Sequence, residues 1–160
     1  MVIVLMGVSG SGKTTVGRLL SQELRWKFYD ADDFHPQANI DKMQGGVPLD
    51  DTDRIPWLEK LRTLVRTCLE QDEDAVLACS ALKETYRAYL LIDERVVLVY
   101  LKGDDELLRE RLQQRRGHFM KVKLLDSQFA DLEEPKRALV VDVSPRPEVI
   151  VQSIKNQLGL

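Results

Sequence analysis

The chain has 160 residues, 44% of them apolar and 31% charged, with a formal net charge of −3. That length suits one compact domain around a single core. The near-neutral balance creates no global field to recruit nucleic acid or an anionic membrane, so binding has to come from local clusters.

Val2 to Met6 is a continuous apolar run and predicts a strand buried on both faces. A glycine-rich loop follows, and Thr15 to Arg25 carries Val16, Leu19, Leu20 and Leu24 at helical spacing. Phe28 and Tyr29 predict a short second strand, which ends in the acidic cluster Asp30-Ala31-Asp32-Asp33. A short helix is expected from Pro36 to Gln44, stopped by Gly45-Gly46. A longer helix should start near Asp51 to Asp53, with Trp57, Leu61, Leu64, Val65 and Cys68 on one face. Ala75 to Cys79 predicts a third strand, and Leu82 to Leu91 a helix. Arg95 to Leu101 predicts a fourth strand, Asp104 to Arg115 a helix and Leu124 to Phe129 a shorter one. Leu139 to Val143 is the fifth strand, and Pro147 to Leu158 the closing helix.

Uniformly apolar strands alternating with helices define an α/β protein: a parallel sheet of about five strands, covered by helices on both faces. Strand order is not readable from such a pattern. In these sheets ligands collect beyond the carboxyl ends of the strands. The polar clusters Gly7 to Thr14, Asp30 to His35 and Ser80 to Lys83 all follow strand ends. No stretch reaches the roughly 18 apolar residues of a membrane span, and the N-terminus lacks signal-peptide features, so a cytoplasmic protein is expected. Cys68 and Cys79 are read as reduced, buried thiols.

The segment GVSGSGKT, Gly7 to Thr14, matches G-x-x-x-x-G-K-[ST] at every fixed position, after a strand and before a helix. Its glycines let the backbone curl so that N–H groups converge on phosphate oxygens, and the helix adds its positive end. Gly7, Val8, Ser9, Gly10, Ser11, Gly12, Lys13, Thr14 and Thr15 are therefore the expected nucleotide contacts. Lys13 would reach the β- and γ-phosphates and Thr14 would offer a hydroxyl to Mg²⁺. The expected ligand is ATP with magnesium. The D-x-x-G and N-K-x-D motifs of GTPase switches are absent, and the chain is short for a motor. A small-molecule kinase remains.

Such a kinase needs an acceptor site and a means to exclude water. In YDADDFHP, Tyr29 to Pro36, Asp30 lies nearest the strand end and is assigned to magnesium through water. Asp32 is the better partner, or base, for an acceptor hydroxyl. His35 is a polar loop residue within reach of the same site, and no spacing supports zinc. In RERLQQRRGHF, Arg109 to Phe119, Arg111 and Arg115 share a helix face and could meet a transferring phosphoryl group. The same run could equally be a solvated basic face. Few aromatics accompany it, which argues against RNA.

Beyond these motifs, KMQGGVPLDDTDRIPWL (Lys42 to Leu58), ACSALKETYR (Ala78 to Arg87), RLQQRRGHFM (Arg111 to Met120) and LLDSQFADLEEP (Leu124 to Pro135) resemble the gluconokinase family in order and spacing. The resemblance covers nearly the whole chain. It implies a nucleoside-monophosphate-kinase-like P-loop fold in one domain, residues 1–160, with a mobile lid at about 111–130. It implies phosphorylation of D-gluconate at the 6-hydroxyl by ATP, and members are commonly homodimers. Within the resembling segments Arg54, Lys83 and Arg87 are the cations available for a sugar-acid carboxylate, and Ser80 and His118 are further substrate contacts. Trp57 is explained by packing alone. One departure is Lys121-Val122-Lys123, where the family often places prolines. The competing readings are another small-metabolite kinase of the same fold, such as shikimate kinase, and a non-catalytic nucleotide-binding regulator.

Overall fold

The structure, a computed structural model, describes residues 1–115 and 118–160, with side chains for all of these except 118–123. Five parallel strands form one sheet: β1 (Val2–Met6), β2 (Lys27–Asp30), β3 (Ala75–Ala78), β4 (Val96–Lys102) and β5 (Leu139–Asp142). Their order is β2-β3-β1-β4-β5. The helices are α1 (Lys13–Leu24), α2 (Gln37–Gln44), α3 (Asp51–Glu70), α4 (Glu84–Leu90), α5 (Asp105–Gln113), α6 (His118–Asp131) and α7 (Pro147–Leu158).

The central strand shows why its sequence is apolar throughout. Alternate residues of a strand point to opposite faces. Val2, Val4 and Met6 join one apolar cluster with Trp57, Leu58 and Leu61 of α3 and Leu90 of α4. Ile3 and Leu5 join the other, with Val16 and Leu20 of α1, Leu108 and Leu112 of α5 and Ile150 and Ile154 of α7. Both faces are therefore covered, which is the expected three-layer arrangement. The edge strands depart from the expectation of uniform burial. In β2 no residue is fully buried, and in β5 Val140 and Asp142 are exposed. Each pairs on one side only, so its outer flank meets solvent.

Helix starts follow capping chemistry. Asp50 caps α3 by accepting from Asp53 N–H at 2.7 Å, while Asp53 accepts from Asp50 N–H at 3.1 Å. The cap lies one residue before the expected Asp51–Asp53 start. Helix α6 runs from His118, well before the expected start at Leu124. Both cysteines are buried and free. Among the described residues no helix is long and apolar enough to cross a membrane.

The sheet order places the functional ground. The chain builds β2 and β3 on one side of β1, then crosses to β4 and β5 on the other. At such a reversal the loops beyond the carboxyl ends diverge and leave a crevice. The loop after β1 lies in that crevice.

Candidate active site

The backbone path of the loop between β1 and α1 calls for glycine. Gly12, the N-cap of α1, sits in the left-handed region at φ 91°. A Cβ on Gly7 would stand 2.6 Å from Ser11 Oγ and 2.9 Å from the Leu101 carbonyl oxygen. The loop leads into the first turn of α1, whose N–H groups lack intrahelical acceptors and carry the positive end of the helix dipole. Lys13 is folded back over the loop. Its Nζ donates to Gly7 O at 2.9 Å and Val8 O at 3.2 Å. Burial holds its ammonium below the ordinary lysine value, while the Asp32 and Asp30 carboxylates pull the other way. Among the described residues its hydrogen bonds go to neutral carbonyls, which leaves its charge for an incoming anion such as a phosphate.

The acidic turn faces this loop. Asp30, at the end of β2, accepts from Thr14 Oγ1 at 3.3 Å and from Asp32 N–H at 3.0 Å. A hydroxyl and a carboxylate side by side are hard oxygen donors suited to a magnesium ion that keeps most of its waters. The turn is pinned from below: Trp57 Nε1 donates to Ala31 O at 2.6 Å, and Trp57 is buried. Asp32 opens into the cleft, yet partial burial raises its carboxyl above the ordinary value. Asp30 and Asp33 add to the rise, and Lys13 opposes it.

A cluster of cations joins α3 to the start of α4; its members Arg54 and Lys83, like His35, are not among the residues that line the cleft around Asp32. Arg54 donates to Tyr86 Oη at 3.1 Å, and its guanidinium lies 5.5 Å from the Tyr86 ring centroid. Lys83 Nζ donates to Asp51 Oδ1 at 3.1 Å. The Tyr86 hydroxyl donates to the same Asp51 oxygen. Arg54 and Lys83 are thus held together by one carboxylate and one phenol, neither of which the sequence marked as a site residue. His35 stacks on Trp57 with centroids 4.4 Å apart and rings 12° from parallel. Its pKa is lowered by burial and by Arg54, which favours the neutral ring. Asn39 fixes it, with Nδ2 3.3 Å from His35 Nδ1 and 2.9 Å from Asp53 O.

Two of the expected contacts are turned to other work. Arg87 is 5% exposed, and its Nη1 donates to Ala81 O at 2.9 Å and Leu82 O at 3.0 Å. It braces the backbone between β3 and α4, where Ala81 holds a left-handed φ of 46°, and it does not line the cleft. Arg111 donates to Val143 O, on the β5 side of α5. Arg115 does line the cleft. His118 was expected as a substrate contact, but its side chain lies outside the described residues.

The cleft has a volume of about 330 Å³. The loop residues Ser9, Gly10, Gly12, Lys13, Thr14 and Thr15 form one wall. Asp30, Asp32 and Ser80 from the ends of β2 and β3, and Leu112, Arg115, Leu124 and Gln128 from α5, its C-terminal end and α6, line the rest. Ser80 O also accepts from Gly7 N–H at 3.3 Å, tying the β3 end to the loop. Gln128 was not anticipated. Its Oε1 accepts from Ser9 N–H at 2.6 Å. The available signal was its spacing, three and four residues after Leu125 and Leu124 on the same helix face. Among the described residues no group of three or more His, Cys, Asp or Glu side chains could hold a metal ion, so any magnesium would rely on the Thr14–Asp30 pair and water.

Residues 9–156 match the family model described as shikimate kinase. Among curated relatives, a probable gluconokinase of Xenopus tropicalis is 44% identical over 99% of this chain and 93% of its own length. The thermoresistant gluconokinase of Escherichia coli (strain K12) is 41% identical over 95% of this chain and 90% of its own. Among solved structures, a gluconokinase from Sinorhizobium meliloti 1021 is 40% identical. It superposes with a TM-score of 0.86 over 98% of this chain and 90% of that one.

Proposed function

We infer that this chain, which belongs to the gluconokinase family of P-loop kinases, transfers the terminal phosphoryl group of ATP to the 6-hydroxyl of D-gluconate. The products are 6-phospho-D-gluconate and ADP. The observation that carries the reading is the convergence of Lys13, the Thr14–Asp30 pair and Asp32 in one cleft.

Phosphoryl transfer asks a protein mainly for positioning and charge stabilisation. The loop amides hold the phosphates with Lys13, apart from Ser9 N–H, an expected contact that Gln128 Oε1 already occupies. Thr14, and Asp30 through water, would hold magnesium, which supplies charge neutralisation at the phosphates when bound. Asp32 accepts the hydrogen of the attacking hydroxyl, and its raised pKa makes it a better base than an ordinary carboxylate. Arg115, which lines the cleft, stabilises charge on the moving phosphoryl group. Arg54 and Lys83 take the gluconate carboxylate, with Asp51 and Tyr86 keeping both cations in place. His35 and Ser80 serve the hydroxyls. The span 1–160 works as one kinase domain with a lid at about 111–130, of which residues 116–117 and the side chains of 118–123 lie outside the described residues, and its expected assembly is a homodimer, which light scattering decides.

The shikimate kinase model describes the wider family, but the close relatives are gluconokinases, which favours the sugar acid. A coupled ADP-release assay with gluconate, shikimate and AMP separates the acceptors. Gluconate should give a kcat/KM at least about 100-fold above the other two. Equal or greater turnover of shikimate or AMP would overturn the assignment.

A further inference from the structure

The Val8–Ser9 peptide unit is gripped at both ends by side chains from different parts of the chain. Its carbonyl accepts from Lys13 Nζ at 3.2 Å, and its N–H donates to Gln128 Oε1 at 2.6 Å. Gln128 comes from α6, 119 residues further along the chain. The bond settles which way the amide faces, because an N–H can be met only by the oxygen end. The nitrogen end, Nε2, keeps two hydrogens and has no partner among the described residues. It belongs to a side chain that lines the cleft with Lys13, Thr14 and Arg115.

In this conformation the C-terminal part of α6, which carries Gln128, packs against the body of the fold. Leu125, one turn earlier, is fully buried in the same cluster as Val8, Leu108 and Leu112. Just past α6, Glu133 N–H donates to Leu82 O at 2.9 Å, and Glu133 Oε1 accepts from Glu84 N–H at 2.8 Å. The amide is therefore placed by packing on one side and by the β3–α4 connection on the other. Lys13 marks the depth of the site, since a lysine at this place in such a loop serves the β- and γ-phosphates. Gln128 and Lys13 hold opposite sides of the one Val8–Ser9 peptide unit and line the same cleft, so the amide looks into the space that Lys13 serves.

We propose that Gln128 reads the terminal phosphate of the nucleotide: Oε1 stays on Ser9 N–H while Nε2 donates to an oxygen of the γ-phosphoryl group. This rests on the kinase reading above. It gives α6 a contact that ATP can make and ADP cannot, and it orients the group that is transferred.

The test is calorimetric titration of the full chain with Mg²⁺–AMP-PNP and with Mg²⁺–ADP, for wild type, Gln128→Ala and Gln128→Glu. Thermal unfolding serves as the check on folding. Gln128→Ala should weaken AMP-PNP roughly 10-fold, the worth of one hydrogen bond to a charged group, and leave ADP within about two-fold. Its kcat should fall while KM for gluconate holds within about two-fold. Gln128→Glu keeps an oxygen for Ser9 but sets a carboxylate against the phosphate. It should weaken AMP-PNP further than Gln128→Ala while ADP binding persists. Equal losses for the two nucleotides, or an unchanged AMP-PNP to ADP ratio in both variants, would overturn the proposal and leave Gln128 a structural brace. If the wild type binds neither nucleotide, the kinase reading itself falls, an outcome distinct from the other two.

Discussion

Lys13 and Asp32 face each other across the cleft, and each shifts the other's proton affinity. Lys13→Ala should leave a folded protein with kcat lower by at least about 100-fold, because an ammonium at the β–γ bridge acts on charge that develops in the transition state. Steady-state kinetics on a variant with a normal thermal unfolding curve checks this. Asp32→Asn keeps the size and removes the base, so turnover should collapse while ATP affinity, measured by titration, stays within a few fold. The pH profile follows from the two directions. The working form has Asp32 unprotonated, and its pKa lies above the ordinary 3.8, so activity is lost as pH falls through that raised value. Lys13 must keep its proton, and its pKa lies below the ordinary 10.5, so activity is lost as pH rises through that lowered value. Both limbs of the kcat/KM profile should sit inside the ordinary carboxylate and lysine positions. An acid limb at or below 3.8 would remove Asp32 as the base.

At the scale of elements, the site depends on turns held by residues that touch no substrate. Trp57 of α3 holds the acidic turn through Ala31 O. Trp57→Phe keeps an aromatic ring but removes the donor to Ala31 O, which should cost about 1 kcal/mol of stability by denaturant unfolding and lower kcat as Asp32 loosens. Arg87 holds the β3–α4 connection by the same logic. Arg87→Lys should lower the unfolding midpoint while the gluconate KM stays within about two-fold. A large rise in KM would return Arg87 to the substrate site. The sequence exposed these elements unevenly. The β1 run and the loop after it were legible because burial on both faces and phosphate chemistry each restrict residue choice tightly. The amphipathic start of α3 was legible to within one residue. The early start of α6 was not, since Lys121 and Lys123 interrupt the apolar spacing that marks a helix face. Arg87 and Arg111 show a related limit. A charge on a helix shows that an ion is present but not whether its partner is a ligand or a carbonyl across the fold. Asp51, Tyr86 and Gln128 act through contacts 32 to 119 residues apart, and no local pattern carries such a pairing.

For the molecule as a whole, the order β2-β3-β1-β4-β5 brings three strand ends into one crevice: the loop after β1, the acidic turn after β2 and Ser80 after β3. That order is a property of crossovers between strands, and uniformly apolar strands do not encode it individually. Ligands that join elements across the crevice should stabilise the entire fold. A nucleotide at 100 times its Kd adds about 2.7 kcal/mol, which for a chain of this size raises Tm by roughly 5–10 °C. The central claim is chemical, and its most direct test is the identity of the product. Phosphorus NMR of the purified chain with ATP, Mg²⁺ and D-gluconate should show one new phosphomonoester resonance, split by the two hydrogens on C6 and growing in step with ADP. Inorganic phosphate as the sole new signal, or no new signal beside turnover of shikimate, would contradict the account.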